Sequence, residues 1–105
     1  MVYYIQAKDG GRIKIGYAEF PASRLKRLQM GSPVELILIA VQEGNHLTEK
    51  MIHNEFRHSR AHFEWFENTD ELADYIKSNA ILVADLNQEK VLKLEKRADN
   101  GRIIY

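Results

Sequence analysis

The stretch VYYIQAKDGGRIKIGY, residues 2 to 17, constrains this chain more than any other, because two short apolar runs flank Asp9-Gly10-Gly11. Aromatic and β-branched side chains fit a pleated, half-buried surface, and Asp-Gly is a strong turn signal, so the chain is expected to open on a β-hairpin. Two registers compete. A two-residue turn at Asp9-Gly10 pairs Lys8 with Gly11 and Tyr3 with Gly16, placing Tyr3 and Lys14 on one face of the sheet. A three-residue loop at Asp9, Gly10 and Gly11 pairs Tyr3 with Tyr17 instead and separates Tyr3 from Lys14.

After the hairpin, Pro21 stands where a helix accepts proline in its first turn, and Leu25 and Leu28 share one side of the short helix that follows. Arg24, Lys26 and Arg27 occupy its other side. Gly31 and Pro33 then stop it. VELILIAVQ, residues 34 to 42, is apolar on both alternating faces, as expected of a strand covered on two sides in the middle of a sheet. Asn45 is placed to cap a helix running to about His58, with Leu47, Met51 and Phe56 as its apolar stripe. HFEWF, residues 62 to 66, reads as one extended stretch, with Trp65 and Phe66 in the core. NTDEL, residues 68 to 72, opens a last helix that faces inward with Leu72, Tyr75 and Ile76. The expected fold is α/β: a small antiparallel three-stranded sheet flanked by helices, without βαβ crossovers. Residues 1–80 form the domain and residues 81–105 a C-terminal extension, read as either a charged helix or a hairpin around Asn87, with a turn at Asn100-Gly101.

At 105 residues the chain fits one domain. It has no cysteine, which excludes disulfides, thiolate metal sites and a cysteine nucleophile. No apolar run is long enough to span a bilayer and no signal-peptide pattern is present, so the expectation is a cytoplasmic protein without a membrane partner. Net charge is zero, yet the charge is unevenly spread. Residues 1–30 hold six bases against two acids, and residues 31–75 hold nine acids against three bases. Such a split is either a basic face beside an acidic one or two solvated surfaces.

Several short motifs follow in order: VYY with Tyr3, KIG (Lys14, Ile15, Gly16), RLKRLQMGSP with Arg24, EKMIH with Glu49, and EWF at residues 64–66. In this order they resemble the GIY-YIG nuclease superfamily, from about Val2 to Ile76, and EWF resembles the closing motif of a phage and prokaryotic subfamily. Lys14 stands where that family has its second tyrosine, and the family's distal asparagine has no clear counterpart. Taken singly, each residue has a structural explanation: Tyr3 as a cross-strand aromatic, Arg24 as a solvated helix residue, Glu49 as a carboxylate near a helix N-terminus.

The resemblance implies a metal-dependent endonuclease that hydrolyses DNA phosphodiesters, with RNA not excluded, using Mg²⁺ or Mn²⁺. Glu49 would bind the metal, Arg24 the scissile phosphate, and Tyr3 with Lys14 the attacking water. A single carboxylate suits Mg²⁺, which keeps several waters, and a guanidinium fork suits two phosphate oxygens. Basic residues Arg12, Lys26 and Arg27 would steer the nucleic-acid backbone. His53, one turn after Glu49, would either contact substrate or cap a core edge. His53, His58 and His62 with Glu49 also raise a zinc reading, although their spacings match no compact metal motif. Glu64 is a candidate to support the metal site from behind, although its position beside Trp65 points it outward. The competing class is a nucleic-acid-binding or protein-interaction module on the same fold that does not cleave. In either case a second copy of the chain or a separate targeting protein would supply specificity.

Overall fold

The computed structural model describes residues 1–85, so the expectations around Asn87 and Asn100-Gly101 lie outside the described residues. The hairpin forms from β1 (Val2–Ala7) and β2 (Ile13–Tyr17). Its register pairs Tyr3 with Gly16, Tyr4 with Ile15 and Ile5 with Lys14. This is the first of the two registers, reached by a different turn: the Gly10 amide donates to the Ala7 carbonyl at 2.9 Å, so the tight turn is centred on Lys8-Asp9. Gly10 and Gly11 both have φ near +97°, a left-handed conformation that costs a glycine nothing and returns the chain to β2 in step.

From β2 the chain enters α1 (Pro21–Met30), which begins at Pro21 and ends at Gly31 as the sequence indicates. It then passes to β3 (Leu36–Gln42). Both β2 and β3 are antiparallel to β1 and flank it, so α1 carries the chain over β1 between two strands of the same direction. That is a split βαβ unit, a crossover missing from the sequence expectation. The remaining elements are α2 (His46–Glu55), a 3₁₀ turn (Arg57–Ser59), β4 (Arg60–His62), β5 (Trp65–Phe66), α3 (Asp70–Asn79), β6 (Ile81–Leu82) and a 3₁₀ turn (Val83–Asp85). No helix among the described residues is long and apolar enough to cross a membrane.

The sheet is α/β and antiparallel as expected, but it has six strands in the order β4-β5-β2-β1-β3-β6 rather than three. The three extra strands are two or three residues long, too short to carry a period-two signal. They join through backbone bonds: the Ile15 amide donates to Glu64 O at 2.9 Å and the Glu67 amide to Ser59 O at 2.8 Å. HFEWF therefore holds a small turn between β4 and β5 rather than one extended run. Phe63 sits in that turn at φ 51°, a left-handed conformation that is costly for a bulky residue. The Arg60 guanidinium donates to the Phe63 carbonyl and holds the turn.

The middle of the sheet belongs to β1, which is buried from Val2 to Ile5. VELILIAVQ is not the central strand, because β6 covers only Ala40 and Val41 on its outer side and Ile37 reaches solvent. One core, on the α2 and α3 face, joins Tyr4, Ile15, Ile52, Phe56, Phe66, Leu72 and Ile76. The other, under α1, joins Tyr3, Ile5, Ala18 and Leu36, with Leu25, Leu28 and Trp65 against them. Trp65 is thus only half-buried, at the margin of the core expected to contain it, while Phe66 is fully enclosed. A bulge in the β1–β3 pairing between Tyr4 and Ile5 switches β3 from one core to the other, which is why its apolar residues do not alternate.

The helix after Asn45 is capped as expected: the Asn45 side chain accepts from the Leu47 and Thr48 amides while Thr48 Oγ1 accepts from the Asn45 amide. Of its expected apolar stripe, Phe56 is buried but Leu47 and Met51 are not. Leu47 and Met51 are 67% and 72% exposed, and the buried line runs through Ile52 and Phe56. Ile52 and Phe56 are one turn apart, as are Leu47 and Met51, so periodicity alone offered two faces, and packing on β2 selects the second. In urea denaturation, Ile52→Ala should cost about 2–5 kcal/mol, whereas Met51→Ala should change stability by less than about 0.5 kcal/mol. Equal losses would contradict this orientation of α2.

Candidate functional site

Tyr3 is completely buried, and its ring lies across Gly16 on the neighbouring strand. A Cβ at Gly16 would overlap the Tyr3 Oη and Cζ atoms. The pairing Tyr3 opposite Gly16 therefore makes a slot that only glycine leaves open. This answers why the second strand carries KIG: Ile15 points to one core, and Gly16 clears the other face for the phenol.

The two adjacent tyrosines of β1 differ sharply. Tyr4 Oη donates to Gln42 Oε1 at 2.6 Å, and Gln42 Nε2 donates to Tyr75 Oη at 3.2 Å, so that buried hydroxyl is satisfied. Tyr3 Oη is the buried side-chain atom left without a hydrogen-bond partner among the described residues. Buried hydroxyls are almost always partnered, and an orphan calls for an explanation such as a water, an ion or a ligand.

Charged groups gather around that oxygen from three other elements. Burial raises the Tyr3 pKa above the ordinary phenol range, and the Glu64 carboxylate pushes the same way. Arg24 opposes them, approaching the phenol without a well-formed hydrogen bond, and Glu49 adds a smaller upward push. The structure thus places Arg24 of α1 and Glu49 of α2 each within electrostatic reach of Tyr3 on β1. Glu64, the residue considered for support of the metal site, also bears on Tyr3, although its place beside Trp65 suggested an outward direction. At neutral pH the phenol keeps its proton despite the nearby Arg24, so it can hydrogen-bond a water or phosphate but is not itself a base.

Other expected site residues are engaged differently. Lys14 Nζ lies 3.2 Å from Glu64 Oε1 and 5.6 Å from the centre of the Trp65 ring. Its charge is spent on Glu64, on the face it shares with Tyr3. His53 Nε2 meets the Ile15 carbonyl at 2.8 Å, and its ring packs edge-on against Phe66 at 4.9 Å, at the edge of the core. Arg12 pairs with Glu67 at 2.9 Å on the surface. Lys26 is exposed on α1, and Arg24 and Arg27 line a cavity of about 290 Å³ with Tyr17 and His46. His46, whose ring is 4.1 Å from that of Tyr17, escaped the sequence reading. Its only signal is its place three residues before Glu49, on the same side of α2. The uneven charge resolves into pairing: Lys8, Arg12 and Lys14 of the hairpin contact Glu35, Glu67 and Glu64 of the acidic segment.

Two consequences are measurable. Tyr3→Phe removes a buried hydroxyl that lacks a well-formed hydrogen bond, so stability in urea should hold or rise by up to about 1 kcal/mol, while Gly16→Ala should lose about 1–3 kcal/mol. Because the folded pKa of Tyr3 is raised, its contribution is fully present below the unfolded phenol value and is lost as pH rises through 10 and beyond. Wild type should lose stability faster than Tyr3→Phe above that pH; parallel curves would contradict the burial of this phenol.

No curated protein and no solved structure matches the chain. The family model described as the T5orf172 domain matches residues 1–81, a stretch that contains Tyr3, Gly16, Arg24, Glu49 and Glu64. That domain is found in phage and bacterial proteins and is associated with nuclease-related families. With the hairpin, the glycine slot and the gathered charges all inside the matched region, the chain belongs to the T5orf172 domain family.

Proposed function

We propose that this chain is a GIY-YIG-like endonuclease domain that hydrolyses DNA phosphodiesters with one divalent cation, Mg²⁺ or Mn²⁺. The observation that carries the reading is the buried, unpartnered Tyr3 hydroxyl with Arg24 and Glu49 around it. The residues fit such a cation. Glu49 beside the unpartnered Tyr3 hydroxyl offers one carboxylate, and a hard cation such as Mg²⁺ can be held by one carboxylate, waters and substrate phosphate. His58 is occupied with Glu71 at 3.6 Å, and His62 with the Phe63 ring.

Glu49 would hold the cation, which when bound supplies positive charge to the phosphate and lowers the pKa of a bound water. Arg24 would bind two phosphate oxygens through its planar fork and stabilise the negative charge that develops on them. Tyr3 Oη, fixed over Gly16, would orient the attacking water. Its raised pKa keeps the proton in place even with Arg24 nearby, and a bound divalent cation would favour its release. Lys14, paired with Glu64, balances the carboxylate that bears most strongly on Tyr3 rather than acting as a base. Arg27, beside Arg24, and Arg12 and Lys26 would contact the backbone and make affinity fall with salt.

A second reading, a nucleic-acid-binding module that does not cleave, draws on the same commitment of Lys14 to Glu64 at the place of a second tyrosine. Plasmid nicking separates the two. Wild type should nick with Mg²⁺ or Mn²⁺ and not with a chelator, and Arg24→Ala and Glu49→Ala should each reduce the rate by about 10²–10³. Binding without nicking under either metal would favour the second reading.

A further inference from the structure

A cavity of about 470 Å³ opens on the α1 face of the sheet, between the loop of the first hairpin and the C-terminal end of α1. Trp65, Leu28, Leu36 and Val34 form apolar walls, and Arg12 and Lys14 reach the same space. The volume falls in the range of small-ligand pockets and accommodates a nucleobase. Trp65 presents a half-buried indole there, positioned opposite Lys14 by the β2–β5 pairing.

Two cations line this cavity, and each has a carboxylate partner outside its walls: Lys14 is held by Glu64 at 3.2 Å in a largely buried pair, and Arg12 meets Glu67 at 2.9 Å on the surface. The Arg12–Glu67 pair is more than half exposed on both sides. Water screens such a pair, and a phosphate can replace the carboxylate at little cost. Lys14 is two residues from Gly16 along β2, about 6.6 Å, so the cavity adjoins the Tyr3 slot at a distance comparable with one extended nucleotide.

We infer that this cavity receives an unpaired nucleobase of single-stranded DNA, stacked on Trp65 with its phosphate held by Arg12, while Lys14 stays paired with Glu64. The inference rests on the nuclease reading for the place of the neighbouring scissile phosphate. A base inside a duplex has both faces covered by its neighbours, so only an unpaired or flipped base can offer one to the indole. The preferred substrate is accordingly a single strand or an interrupted duplex.

Trp65 is the only tryptophan in the chain, so intrinsic fluorescence reports on it alone. In the presence of a chelator, which blocks metal-dependent cleavage, the protein is titrated with a short thymidine oligonucleotide, an abasic strand of equal length and a duplex. The thymidine strand should quench emission to saturation, and the abasic strand and duplex should quench little. Anisotropy of a labelled strand should show affinity falling about tenfold or more in Trp65→Leu and less than about threefold in Trp65→Phe. Circular dichroism checks that Trp65→Leu folds; if it does not, the comparison of the three ligands decides. Absent binding, binding without quenching, equal quenching by abasic strand or duplex, or unchanged affinity in folded Trp65→Leu would each overturn the inference. Quenching by a protein that never nicks would support this site while removing the nuclease reading, and nicking without quenching would do the reverse.

Discussion

The contact of the Tyr3 ring with the bare Cα of Gly16 is the constraint on which the rest of this site depends. It exists only in the register that pairs these two residues, and a slip of one residue would exchange every side chain of β2 between the two cores. Ile13 and Ile15 would leave the α2 and α3 side and Lys14 would enter it, so hydrophobic burial on one face enforces the polar arrangement on the other. The phenol is therefore held by packing energy that has nothing to do with its hydroxyl.

That division of labour explains why an unsatisfied polar atom persists in a buried place. An orphan hydroxyl costs on the order of 1–3 kcal/mol, which the two cores have to absorb. Tyr4, the next residue, shows that this sheet partners a buried phenol when nothing else is required of it, through Gln42 and Tyr75. The charges near Tyr3 come from α1, α2 and the β4–β5 turn, so the site is assembled by the whole fold rather than by one motif. Preorganised groups of this kind are what the proposed phosphodiester hydrolysis would require.

Much of this was legible in the sequence where local chemistry dominates. Proline at the start of α1, Asn45 at the start of α2 and the NTDEL stretch at the start of α3 mark helix boundaries because capping is a short-range property. Tyr3, Arg24 and Glu49 were visible only as an ordered pattern, since each alone has an ordinary structural excuse. What the sequence hid was long-range. Leu47-Met51 and Ile52-Phe56 look alike along the chain, and only contact with β2 tells them apart. The strands β4, β5 and β6 are too short to signal themselves and exist because the edges of β2 and β3 offer unpaired backbone. Glu64 was misdirected by alternation, because the turn at Phe63 changes the phase of the strand just before it.

The central claim is that Tyr3, Arg24 and Glu49 surround one cation-binding position. Titration with Mn²⁺, followed through paramagnetic broadening of backbone amide resonances, tests it most directly. The account predicts that the amides of Glu49, Tyr3 and Gly16 broaden first and together, and that Glu49→Gln abolishes the effect without disturbing the rest of the spectrum. Broadening centred elsewhere, or undiminished in Glu49→Gln, would contradict it.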